Sequence, residues 1–189
     1  MPAVRPSART VPDPVLLDCV DALGWRGVVI DRMRLYGQVV TVVAAVDRPA
    51  HQQRVHQGWG PVLDRVTLAS WDRIPELWPQ VPPRAVRLVG ALGRYRTWRQ
   101  GMSGAGRLRG FCATAFLTDR EPDDQALLTA LWHGVGVLTR TACGGVQVRQ
   151  HGLDGPAPKA RYGALLRWAE EAVYRRLLVD DVLDGPDGG

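Results

Sequence analysis

Residues 39–46 read Val-Val-Thr-Val-Val-Ala-Ala-Val, an almost wholly apolar and largely β-branched run. Branching at Cβ favours extended backbone, and a strand without polar alternation has to be covered on both of its faces. This requirement sets the frame for the rest of the chain: it must supply neighbouring strands and a layer of helices. Residues 28–36 are a second extended stretch, and Gly37-Gln38 allows a tight reversal, so 28–46 is expected to be a hairpin.

A helix ahead of this pair is marked at both ends. Asp13 can cap it, Pro14 suits its first turn, and Gly24 can close it, with Leu16, Leu17, Val20 and Leu23 as the inward stripe. Farther on, 85–99 and 107–118 read as two long strands. The glycine-rich segment 100–106 between them reads as a flexible tip, and together they suggest a long antiparallel hairpin. Thr118 and Glu121 have capping-box spacing before a helix whose expected buried stripe is Leu127, Leu128, Leu131, Trp132, Val135 and Leu138. A short strand at 146–150 and a long amphipathic helix at 160–183 complete the expected order. Residues 47–83 alternate short helical patterns with Gly-Pro and Pro-Pro breakers and give no single assignment.

Strands in pairs with helices between them predict an α+β domain over 13–183: a mainly antiparallel sheet of about five strands with flanking helices. A flexible arm at 1–12 and a tail at 184–189 would lie outside it. Residues 39–150 can also be grouped as βαββαβ, a ferredoxin-like core, if the ambiguous stretch supplies the first crossover helix. No apolar run reaches the length of a membrane span, and the first residues lack the apolar stretch of a secretory signal. Three cysteines far apart argue for reduced thiols rather than a disulfide framework. A soluble cytoplasmic protein without membrane partners is the expectation.

The charge is informative through its placement. The formal net charge is +5, and Lys159 is the single lysine among 24 basic residues, so arginine is simply this sequence's default base. Yet residues 77–118 hold seven arginines (Arg84, Arg87, Arg94, Arg96, Arg99, Arg107 and Arg109) and no acidic residue. On a β-ribbon, Arg94, Arg96, Arg99, Arg107 and Arg109 would offer forked donors to phosphate oxygens, and Trp98 or Tyr95 a flat face to bases. The leading expectation is therefore a polyanion-binding protein, with nucleic acid as the partner. The plain alternative is a solvated sheet face whose arginines pair with distant carboxylates.

Motifs for catalysis are weak. Gly101 to Gly106 lacks the Gly-Lys-Ser/Thr of a phosphate loop, and Ala105 stands where a Gly-x-Ser-x-Gly elbow around Ser103 needs glycine. His51 and His56 are five apart and no Cys-x-x-Cys accompanies them, so neither a metal nor a cofactor is expected. Two other readings stand beside the first. One is a small enzyme of specialised metabolism, with a pocket in the tryptophan-rich 51–78 region and His51, His56, Asp47 and His133 as the groups to test. The other is an interaction module that forms a homodimer through the C-terminal helix.

Overall fold

The computed structural model describes residues 12–157 and 163–183. The expected arm and tail, apart from Pro12, lie outside the described residues. The chain divides into a sheet unit, Pro12–Ala45 with Leu88–Tyr162, and a helical unit that includes Val46–Arg87 and the chain from Gly163 onward.

The sheet unit opens with α1 (Pro14–Ala22), started as expected: the Asp13 side chain accepts from Val15 N–H, and Pro14 occupies the first turn. Strands β1 (Val28–Leu35) and β2 (Gln38–Val46) form the predicted antiparallel hairpin. Its reversal sits at Tyr36-Gly37, both with positive φ, so that Leu35 pairs with Gln38. The apolar run is buried as its composition requires, from Val40 through Ala44.

The long hairpin expected over 85–118 does not form. β3 (Val86–Tyr95) leads into α4 (Trp98–Leu108), and β4 (Ala113–Thr118) then runs parallel to β3, from Gly90↔Ala113 to Tyr95↔Thr118. Residues 98–108 are helix, not a hairpin tip. Glycines inside a helix each cost about 1 kcal/mol relative to alanine, but here two of them admit close packing. A β-carbon at Gly101 would overlap the Phe116 ring, and one at Gly104 would overlap the Tyr95 hydroxyl. Tertiary fit overrides local propensity. Thr97 caps the helix, its side chain accepting from Gln100 N–H.

Helix α5 (Asp124–His133) crosses to β5 (Gly136–Arg140), parallel to β4, and β6 (Val146–Gln150) closes the sheet antiparallel to β5. The six strands stand in sequence order. At one end of the β2–β3 pair, Asp47 N–H donates to Ala85 C=O; at the other, Tyr95 meets Gln38, so these strands run in opposite directions. The result is an α+β fold with a six-stranded mixed sheet, rather than a mainly antiparallel one of five strands. Its helix between β3 and β4 also departs from the βαββαβ order of a ferredoxin-like core.

Each sheet face has its own core. On one, α1 packs Leu16, Cys19 and Val20 against Leu92, Ala115, Leu117 and Leu138. On the other, α4 and α5 place Ala105 and Ala130 against Phe116, Val135 and Val137. The stripe expected on α5 holds only in part: Leu127 packs on this core, and Val135 and Leu138 are buried. Gly134, left-handed at φ 64°, ends that helix, so Val135 and Leu138 fall outside it. The helix presents the small Ala126 and Ala130 inward and leaves Leu128, Leu131 and Trp132 exposed, Trp132 by 87%.

The helical unit resolves the ambiguous stretch into α2 (Arg48–His56), α3 (Arg65–Arg73) and a 3-10 turn (Pro75–Gln80), to which α6 (Ala164–Val179) is added. Residues 160–162, expected to begin α6, lie outside the described residues. No helix among the described residues is long and apolar enough to cross a membrane.

Candidate anion-binding site

Strand β3 and helix α4 meet at the carboxyl end of the parallel strands. In open α/β sheets the crevice outside the strand carboxyl ends is where ligands are received, because the following helix turns its N-terminal N–H groups there. Arg94 and Tyr95 are the last residues of β3, Arg96 and Thr97 make the turn, and Arg99, Gln100, Ser103 and Gly104 come from the first two turns of α4. With Gln38 from the start of β2, Arg94, Tyr95, Arg96, Arg99, Gln100, Ser103 and Gly104 line an open crevice of about 610 Å³.

The side chains there differ in their commitments. Arg94 reaches Asp119, just past β4, at 3.2 Å, and both side chains are substantially exposed. Arg99 rests on the Trp98 ring, with its guanidinium carbon 4.6 Å from the centroid. Neither Arg96 nor Arg99 pairs with a carboxylate among the described residues, and the first turn of α4 carries no acidic residue. Tyr95 donates to Gln38 Oε1 at 3.1 Å. Burial pushes its phenol pKa up, while the nearby charge of Arg107 pulls in the opposite direction. Three guanidinium groups, two side-chain amides, two hydroxyls and a helix N-terminus thus converge on one opening.

The other expected members of the arginine ribbon lie outside the lining. Arg107, two turns beyond Arg99 on α4, is exposed and reaches back to the β1–β2 reversal, its guanidinium beside Gly37 and its charge felt at Tyr95. Arg109 is buried, with only 6% of its surface exposed. It donates to the backbone carbonyls of His133, Cys112 and Gly155 at the amino ends of β4 and β5, and its Nη2 is buried without a partner. Burial lowers its pKa below that of an ordinary guanidinium. Arg109 ties the loop after β6 in place, and the continuous basic ribbon does not form. Trp98 is half-buried in the α4 core and carries Arg99 rather than standing open to a base. Arg84 belongs to the helical unit, bonded to Glu170.

The residues named for catalysis are dispersed. Asp47 caps α2 by accepting from Ala50 N–H. His51 is buried with Nδ1 3.0 Å from the Tyr174 hydroxyl, whereas His56 and His133 are exposed at helix ends. In the tryptophan-rich stretch, Trp78 is exposed and its indole N–H donates to the backbone oxygen of Trp71. Burial pushes the Cys19 and Cys112 thiols up to about 12. Among the described residues no group of three His, Cys, Asp or Glu side chains could hold a metal ion.

Gln38, Gln100 and Ser103 are members of the crevice that sequence reasoning does not reach. Local pattern assigns the first to a turn and the other two to a loose tip. The signal that could find them is Thr97 three residues ahead of Gln100, a helix cap obscured by the succeeding glycines. The chain matches no protein-family model, no curated protein and no solved structure.

Proposed function

We propose that this protein binds a phosphate-bearing ligand in the crevice at the end of β3, with Arg96 and Arg99 as primary phosphate contacts. The observation that carries the reading is the pairing of these two exposed, carboxylate-free guanidinium groups with the partial positive charge of a helix N-terminus. Gln38, Gln100 and Ser103 would hydrogen-bond the remainder of the ligand, and the volume suits a molecule of nucleotide size. The polyanion expectation is carried into this reading in narrowed form. With Arg109 buried and Trp98 packed against the core, a nucleic acid would engage through one phosphate or a terminal nucleotide, not along a ribbon. Helix α6, named for a homodimer, already buries Leu166, Ala169, Val173 and Leu177 and leaves Leu165 and Val179 exposed, so no observation favours that alternative.

The test is calorimetric titration with inorganic pyrophosphate, a nucleoside monophosphate and a short single-stranded oligonucleotide, each at two salt concentrations. Binding that weakens with salt and is lost in Arg96→Glu/Arg99→Glu supports the crevice. A wild-type protein that takes up none of the three probes overturns it, as does a double variant that binds like wild type.

A further inference from the structure

The charge balance of the crevice limits which phosphate group it can accept, and one residue outside the lining sets that limit. Asp119 comes directly after Thr118, which is paired in register with Tyr95, so its carboxylate stands beside the end of β3. Both of its oxygens lie near the same nitrogen of Arg94, at 3.2 and 3.4 Å, in an exposed rather than a forked, buried geometry. Such a pair is readily exchanged, because water and side-chain entropy offset most of its attraction. Three lining guanidinium groups against this one carboxylate, with the Arg107 charge felt at Tyr95 besides, leave a surplus of at least two positive charges around the opening.

Resting on the phosphate-binding reading, we infer that the crevice takes a phosphate group carrying two or more charges, a phosphate monoester or a diphosphate, and that Arg94 engages it by exchanging Asp119 for the ligand. A group of that charge offsets the surplus and competes with a carboxylate for Arg94. A phosphodiester link of a polymer carries a single charge and does so poorly. Asp119 is thus a specificity-determining residue: it keeps Arg94 oriented at the crevice and makes every ligand displace an internal anion.

The experiment is a double-mutant cycle read by calorimetry with inorganic pyrophosphate, and with dimethyl phosphate as the singly charged probe. Wild type is expected to bind pyrophosphate and to show at least about tenfold weaker binding of dimethyl phosphate, the factor that one extra charge-assisted contact supplies. Asp119→Asn is expected to tighten pyrophosphate about threefold, the fold-change equivalent of an exposed ion pair, and to do so only while Arg94 is present. In the Arg94→Met background the gain should vanish. An equal gain in that background would show a general field effect and overturn the exchange. Dimethyl phosphate binding as tightly as pyrophosphate would overturn the ligand class. If wild type binds neither probe, the phosphate-binding reading itself fails, an outcome distinct from both.

Discussion

The helical unit and the end of β3 use arginine in opposite ways. In the helical unit, Arg54 is 1% exposed and forks onto Glu171 with two bonds of 2.8 Å. It also donates to the carbonyls of Trp59, Pro83 and Gly60, and its guanidinium lies 4.4 Å from the centroid of the Tyr174 ring. Arg167 reaches the same Glu171 carboxylate at 2.9 Å, and Val62 N–H donates to it. In the sheet unit the core is apolar on both faces, and the arginines at the end of β3 remain at the surface. One unit uses its guanidinium groups to fix irregular loops to a helix. The end of β3 holds its guanidinium groups at the surface, while Arg109, elsewhere in the sheet unit, repeats the first use. Arginine content alone therefore says little about function; the number of protein acceptors around each guanidinium says much more.

The sharpest way to break this contrast is to remove Arg54. Arg54→Met leaves the Glu171 carboxylate buried with part of its compensation gone and strands three carbonyls, so a loss of about 3–5 kcal/mol in denaturant unfolding is expected. Arg54→Met combined with Glu171→Leu should recover little of that loss, because the buried Arg167 then loses its carboxylate and Val62 N–H its acceptor. A single-variant loss below about 1 kcal/mol would place Arg54 with the dispensable surface arginines.

The next effect lies in the sheet unit, where fit rather than charge decides. Gly104→Ala drives a methyl into the Tyr95 hydroxyl, which is bonded to Gln38, and is expected to cost about 1–2 kcal/mol and to disturb the crevice. Gly106, in the same helix, has open space where a β-carbon would stand. Gly106→Ala should therefore stabilise by about 0.5–1 kcal/mol through helix propensity. Thermal unfolding of the two variants separates packing from propensity; equal signs would mean that α4 does not need its close approach to Tyr95.

A pH effect of about 1 kcal/mol per thiol comes from the same dry packing. Cys19 and Cys112 hold their protons up to about 12 in the folded chain, above the ordinary value of 9.0. The native state therefore binds more protons than the unfolded one above pH 9. Stability from these groups is complete below pH 9 and declines as pH rises toward 12, by about 1 kcal/mol per thiol at pH 10. Cys19→Ala/Cys112→Ala should flatten that alkaline slope in unfolding titrations, and at pH 8 a thiol reagent should modify native protein mainly at the exposed Cys143.

Legibility in the sequence divides along the same line. α1, the β1–β2 hairpin and the buried 40–44 run are legible because capping residues and β-branched composition act locally. The β3–α4–β4 crossover is not. Gly101, Gly104 and Gly106 signal a loop when judged by propensity, and only the rings of Phe116 and Tyr95, brought in by tertiary packing, explain why helix wins. The helical unit is opaque for a related reason. Its core contains Arg54, Arg167, Glu170 and Glu171, residues that a hydrophobic pattern assigns to the surface. A signal does exist in Arg167 and Glu171, four apart on the otherwise apolar side of α6. For the site, clustering of basic residues locates Arg94, Arg96 and Arg99 together in space. It cannot show that Arg109 is consumed by carbonyls.

The smallest stability effect is the most telling about function. Arg96→Gln/Arg99→Gln removes two charges that no carboxylate among the described residues needs, so unfolding free energy should move by less than about 0.5 kcal/mol. Loss of the Arg99–Trp98 contact accounts for most of whatever change appears, since an exposed cation over a ring contributes little more than that. A protein that holds two guanidinium groups without carboxylate partners beside a helix N-terminus gains no fold stability from doing so. If the double variant instead proved markedly less stable, these arginines would belong with Arg54 and Arg109 as fold determinants, and the contrast would disappear. If stability is unchanged while pyrophosphate affinity falls, their placement has a ligand as its physical reason.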